Sequence, residues 1–101
     1  MAKPRPHRNY LWIARKKAGM GQKSVARLLG YRSVSPVSEY ETGRLLPSLP
    51  TAFKLAALYN VPVAELYAPL YQEVQAEIED RRKQHVAKIP PREFPEPDQS
   101  L

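Results

Sequence analysis

The stretch from Ser33 to Arg44, SVSPVSEYETGR, places three serines, two glutamates, a threonine and a proline between two apolar-periodic segments. Hydroxyls and carboxylates can serve as nucleophiles and bases, but a serine nucleophile needs a base beside it and a metal needs convergent ligands. His7 lies in a proline-rich N-terminal segment and His85 in a charged C-terminal one, and neither has a partner at a suitable spacing. Ser24, Ser33, Ser35 and Ser38 have no candidate base nearby. The carboxylates concentrate between Glu65 and Asp80, where helical pairing with basic neighbours accounts for most of them. No catalytic residue, metal site or cofactor is therefore expected, and the chain is not read as an enzyme. With no cysteine, disulfides and thiolate-bound zinc are excluded.

What remains for these side chains is recognition, and the charge distribution indicates of what. Residues 1–60 carry 11 Lys and Arg against only Glu39 and Glu41, whereas residues 61–101 carry 5 against 8 acids. A basic front and an acidic back point to a polyanionic partner met by the first half, nucleic acid above all. The alternative, a merely solubilising charge, rarely segregates so sharply. No apolar run of about 18 residues is present to span a membrane. No signal-peptide pattern follows the N-terminal charges either, so a soluble cytoplasmic protein is expected.

The elements that must position these groups are all helical, since no strand-like alternation stands out. A 101-residue chain with 43% hydrophobic residues has room for one small domain. Residues 1–8 read as a flexible basic arm, 9–68 as the folded domain, 69–88 as a C-terminal helix and 89–101 as a disordered proline-rich tail. Asn9 can cap a first helix that Gly19 stops, and a second runs from Gly21 to Leu29 with Gly30 ending it. Ser48 caps a fourth, with Pro50 tolerated in its first turn. Its Ala52, Phe53, Leu55, Ala56, Leu58 and Tyr59 nearly encircle it, the mark of a buried central helix. A short fifth helix ends at Ala68, and the sixth carries Pro69 in its first turn. The sixth has Leu70, Tyr71, Val74 and Ile78 on one face, and its polar end pairs Glu77 with Arg81 and Glu79 with Lys83.

Between the second and fourth helices, Gln22, Ala26, Gly30 and Val37 follow a characteristic spacing. Ala26 is small where two helices must approach, and Gly30 permits the positive φ of a sharp turn. Val25, Leu29, Val37 and Tyr40 face inward. With ARKKAGMGQKSVARLLG, VSEYETGR and PSLPTAFKLAALYNVPVAEL in that order, the chain from Asn9 to about Leu70 resembles the phage-repressor-type (Xre/Cro-like) helix-turn-helix family. The turn after Gly30 is one residue longer than the commonest pattern, with both Tyr31 and Arg32. Either Ser33 caps a helix that begins at Val34, or Ser35 caps one with Pro36 in its first position.

The resemblance implies a five-helix repressor-like domain that binds double-stranded DNA and regulates transcription, most simply as a repressor. It matches Arg15 and Glu41 to a partly buried ion pair and Gln22 to a backbone-phosphate contact. It also sends the first turn of the third helix into the major groove. There Val34 can pack on a thymine methyl, Ser35 can donate or accept, Glu39 can accept from a cytosine amino group, and Ser38 is a further candidate. Val34 as core filler and Glu39 as a surface acid are the alternatives. Phosphate contacts would come from Gln22, Lys23, Arg32, Ser33, Thr42, Gly43 and Arg44, with Lys23 and Arg44 as solvated lysine and arginine the alternative. The arm, with Lys3, Arg5 and Arg8, either reaches a minor groove or stays disordered.

Trp12 and Ile13 look exposed for a first helix. Trp12 either covers the last helix within one chain or leaves it to form a homodimer seam. A rival reading makes the protein an antitoxin-like adaptor whose last helix and tail, with Phe94, bind a protein partner. An RNA-associated module is disfavoured because no aromatic stacking platform is evident.

Overall fold

The computed structural model describes residues 8–88, and all regular structure among them is helical. Six helices follow in order: α1 Leu11–Lys17, α2 Gln22–Leu28, α3 Ser35–Thr42, α4 Leu49–Tyr59, α5 Val63–Leu66 and α6 Ala68–Lys88. The expected arm, apart from an exposed Arg8, and the expected tail with Phe94 lie outside the described residues. No helix among the described residues is long and apolar enough to cross a membrane.

The core takes one large, fully buried side chain from each of the first five helices: Leu11, Val25, Val37, Leu55 and Leu66. Each sits at the apolar centre of a short amphipathic helix, so no helix can leave without exposing a share of the common core. Ala26, 4% exposed, lets α2 approach α3 closely, as its size predicts. Helix ends follow local chemistry. At the end of α2 the Tyr31 amide donates to the Ala26 carbonyl at 2.8 Å and the Gly30 amide to Arg27 at 3.1 Å, around Gly30 with φ 83°. This pairing satisfies the last carbonyls and turns the chain sharply toward α3. Ser48 caps α4 as its type predicts, its Oγ accepting from the Thr51 amide at 3.4 Å, with Pro50 in the first turn.

Several expectations are corrected. The N-cap position of α1 belongs to Tyr10, yet Asn9 does the capping work one residue earlier: its Oδ1 accepts the Leu11 amide at 3.0 Å. Its Nδ2 donates to the Tyr40 carbonyl at 2.9 Å, which ties the entry of α1 to α3. The α4 helix is not apolar all round. Ala52, Leu55 and Tyr59 form its buried face at three- and four-residue spacing, and Phe53, about 100° away around the helix, is 59% exposed. Helix α5 ends at Leu66, and α6 begins at Ala68 because Tyr67 (φ −118°, ψ 40°) breaks the ladder between them. On α6, Glu77 pairs with Arg81 at 2.9 Å, but Glu79 reaches Arg82 at 3.9 Å and not Lys83. Trp12 is 54% exposed, with Lys16 Nζ 5.6 Å from its ring centre, and it leaves the α6 stripe uncovered.

Buried and half-buried tyrosines connect the helices. Tyr31 and Tyr40 share a hydroxyl hydrogen bond at 2.9 Å, and the Tyr67 hydroxyl is buried with no hydrogen-bond partner among the described residues. Burial pushes the phenols of Tyr40, Tyr59 and Tyr67 up from 10 to about 12. In the unfolded chain these groups ionise near 10, so their contribution to stability is fully present below pH 10 and is lost as pH rises toward 12. Thermal melts followed by circular dichroism should therefore show a midpoint that falls steeply from pH 10 upward. The Tyr59→Phe/Tyr67→Phe variant should show a shallower fall over the same window.

Candidate nucleic-acid interface

Three helices meet at one buried charge pair. Glu41, in the last turn of α3, accepts from Arg15 Nε of α1 at 2.5 Å and from Arg15 Nη2 at 3.2 Å. Gln22 Nε2, at the start of α2, donates to Glu41 Oε1 at 3.0 Å. Arg15 Nη1 also donates to the Met20 carbonyl at 3.0 Å, in the turn that joins α1 to α2. Both ionic side chains are 6% exposed. The hydrogen bond to Glu41 raises the Arg15 pKa further, against the opposing pull of burial, so the guanidinium stays charged. A two-pronged Arg–carboxylate contact fixes orientation as well as distance, which locks the relative placement of α1, α2 and α3.

The α3 helix is held from outside because its own sequence does little to start it. The structure chooses neither expected serine cap. Val34 takes the cap position with no side-chain cap hydrogen bond, and Pro36 follows in the first turn. With φ −81° and ψ −9°, Val34 is already close to helical, and its carbonyl accepts the Ser38 amide at 3.0 Å. Ser33 and Ser35 are exposed, and Val34 is half-buried against the core. Val37, 1% exposed, anchors the inner face, and Gly43 in the left-handed conformation (φ 82°) ends the helix.

Around α3 the surface forms two shallow clefts. One, of about 300 Å³, lies between α2 and the turn before α3 and is lined by Lys23, Arg27, Tyr31, Arg32, Ser33 and Val34 among others. The other, of about 470 Å³, is lined by Ser38, Glu39, Thr42 and Arg44. Eight of the site residues expected from the sequence thus border one or other cleft, and Ser35 stands exposed at the first turn of α3. Gln22 is partly committed, since one amide hydrogen goes to Glu41; its second N–H leaves a donor for an external acceptor. Gly43 is buried and its amide donates to the Tyr40 carbonyl at 3.1 Å, so it serves as a helix stop and offers no outward amide. The Thr42 hydroxyl donates to the Glu39 carbonyl at 3.2 Å. Arg27 was missed: it lines the first cleft one helical turn after Lys23, and that i,i+4 basic pair on α2 was the available signal. No group of three or more potential metal ligands occurs among the described residues.

A family model described as a helix-turn-helix domain matches residues 9–68, well over half of the chain. The chain belongs to the helix-turn-helix family. No curated protein and no solved structure shows a significant match to it. The matched span of this helix-turn-helix protein opens at Asn9, whose side chain joins α1 to α3, and closes at Ala68, where α6 begins. The charge pair, both clefts and all five core-forming helices fall inside it, whereas nearly all of α6 falls outside.

Arg15→Ala should lower unfolding free energy by about 3–5 kcal/mol, because it strands Glu41 without its cation in a nearly dry site. Replacing both partners, as Arg15→Met with Glu41→Leu, should recover a large part of that loss. Denaturant unfolding of the two single variants and the double variant measures the coupling directly.

Proposed function

We propose that this protein binds double-stranded DNA in a sequence-specific manner, as a transcriptional regulator of the Xre/Cro-like type that represses by occupying its site. The observation that carries the reading is the exposure of Ser35 and the partly exposed Val34 at the start of α3, with Lys23, Arg27 and Arg32 around the adjoining cleft. A major groove admits one helix, and the side chains of its first turn reach the base edges while flanking cations meet phosphates.

In this reading residues 9–68 are the DNA-binding domain, 1–8 a basic arm, 69–88 a separate helical extension and 89–101 a tail. Ser35 and Glu39 supply polar readout, Val34 apolar contact with a thymine methyl, and Ser38 a further polar contact. Lys23, Arg32, Ser33, Thr42 and Arg44 meet the phosphates, joined by Arg27 and by the free N–H of Gln22. Gly43 drops out of that set because its amide is engaged within the chain. No catalytic step belongs to this function. The adaptor reading rests on α6 and the tail, and the exposed stripe of α6 favours an interface there in addition to DNA binding.

Val34→Glu and Ser35→Glu each place a carboxylate against the groove and should weaken binding to the preferred duplex at least about tenfold, with the helical circular dichroism spectrum retained and, for the exposed Ser35→Glu, the melting temperature unchanged. Lys23→Ala should instead weaken all duplexes alike and reduce the slope of log affinity against log salt by about 1. Fluorescence anisotropy with labelled duplexes at several salt concentrations separates the two effects. Parent-like binding by both glutamate variants would refute the placement of α3.

A further inference from the structure

The entry of α1 is fastened beside the end of α5. The Tyr10 amide donates to the Leu66 carbonyl at 2.8 Å, so the residues that precede Asn9 leave the fold next to Tyr67. Tyr67 lines an apolar groove of about 330 Å³, completed by Val63, Ala64, Leu70, Tyr71 and Val74. Tyr71 and Val74 are 52% and 48% exposed, so the groove stands open along α6. The sector around it is acidic. From Leu55 to Asp80 the sequence has five acids and no Lys or Arg. Two of these acids, Glu73 and Glu77, follow Leu70 and Val74 by three residues and therefore border the groove on the surface of α6. Glu77 pairs with Arg81, and Glu73 has no ion pair among the described residues.

We infer that residues 1–7 of the same chain seat in this groove, with Pro4 and Pro6 against its tyrosines and Lys3 and Arg5 beside Glu73 and Glu77. Three arguments select this occupant. The first is reach. From Tyr10 back to Pro4 an extended segment spans up to about 19 Å, whereas Glu77 lies only about 14 Å along α6 from Ala68. The second is complementarity. MAKPRPHR carries Lys3, Arg5 and Arg8 with no acid, and it leaves the fold at the stretch that has acids and no Lys or Arg. Its prolines suit the groove, because proline-rich segments dock on aromatic-lined apolar surfaces. The third is cost. Pro4 and Pro6 restrict their own backbone and that of Lys3 and Arg5, so little freedom is lost on seating. Tethering beside the groove gives an effective concentration on the order of mM, so individually weak exposed ion pairs suffice. The inference is independent of DNA binding, and it gives the cations of the arm a partner other than phosphate.

The test needs no DNA. Because the sequence has no cysteine, paired cysteine variants of the full chain report proximity cleanly. Ala2→Cys is combined with Val74→Cys in the groove or with Gln72→Cys, which is exposed and lies well around α6 from it. Both partners are equally within reach of a freely moving arm, so their difference measures seating. On mild oxidation the Val74 pair should close within one chain at least about tenfold faster than the Gln72 pair. Adding Lys3→Glu with Arg5→Glu should bring the Val74 pair down to the rate of the Gln72 pair. Equal closure at positions 72 and 74 would overturn the inference. So would links that form mainly between chains, because the groove would then hold a segment of a second copy. A Val74 rate untouched by the charge reversal would overturn the part assigned to Glu73 and Glu77.

Discussion

The architecture depends on one buried charge pair. Arg15 and Glu41 come from helices 26 positions apart in sequence, and each is nearly dry. Taking either charge out of water is unfavourable on its own, so the arrangement persists only because each group's bonds are met: two from Arg15 to Glu41, one from Gln22, one to the Met20 carbonyl. An apolar contact tolerates sliding, but a two-pronged Arg–carboxylate contact does not. The pair therefore fixes where α3 lies relative to α1 and α2 and contributes orientation more than net stability.

That constraint explains how α3 can carry a sequence so poor in helix formers. Its outer residues do not have to stabilise it. Val37 buried beneath, the Asn9 amide on the Tyr40 carbonyl, the Tyr31–Tyr40 hydroxyl bond, the Glu41 anchor and the Gly43 stop all act on its inner face or its far end. The outer face carries little of the fold, so under the proposed DNA-binding reading serine, proline and glutamate can stand there for contact where leucine or alanine would make a better helix. In the proposed DNA-binding reading, fold and recognition are divided between two faces of one eight-residue helix.

Much of this was legible in the sequence because it is written in local chemistry. Gly30 and Gly43 mark turns that need positive φ, Ser48 marks a cap, and the spacing of Val25, Leu29 and Val37 marks the inward face. The Arg15–Glu41 pair was legible only through family resemblance, since nothing local joins residues so far apart. What escaped depended on tertiary choice. Phe53 looked like core until packing set which arc of α4 faces inward. Neither Ser33 nor Ser35 caps α3, because Val34, half-buried against the core, sits in near-helical geometry at the cap position. Glu79 has two basic neighbours within a turn, and their exposed side chains differ too little in energy for sequence to choose between them. Arg27 was passed over because a basic residue on a helix is usually just solvated, and only the cleft brings it beside Lys23 and Arg32.

The central claim is that the unit held together by Arg15 and Glu41 reads the sequence of a DNA duplex. Selection of bound molecules from a random duplex pool, with the affinity of the winner followed against salt, tests it most directly. The account predicts an enriched motif, bound well above the pool average at every salt concentration. Steep salt dependence with no enriched motif would contradict it, leaving a polyanion binder whose α3 reads no bases.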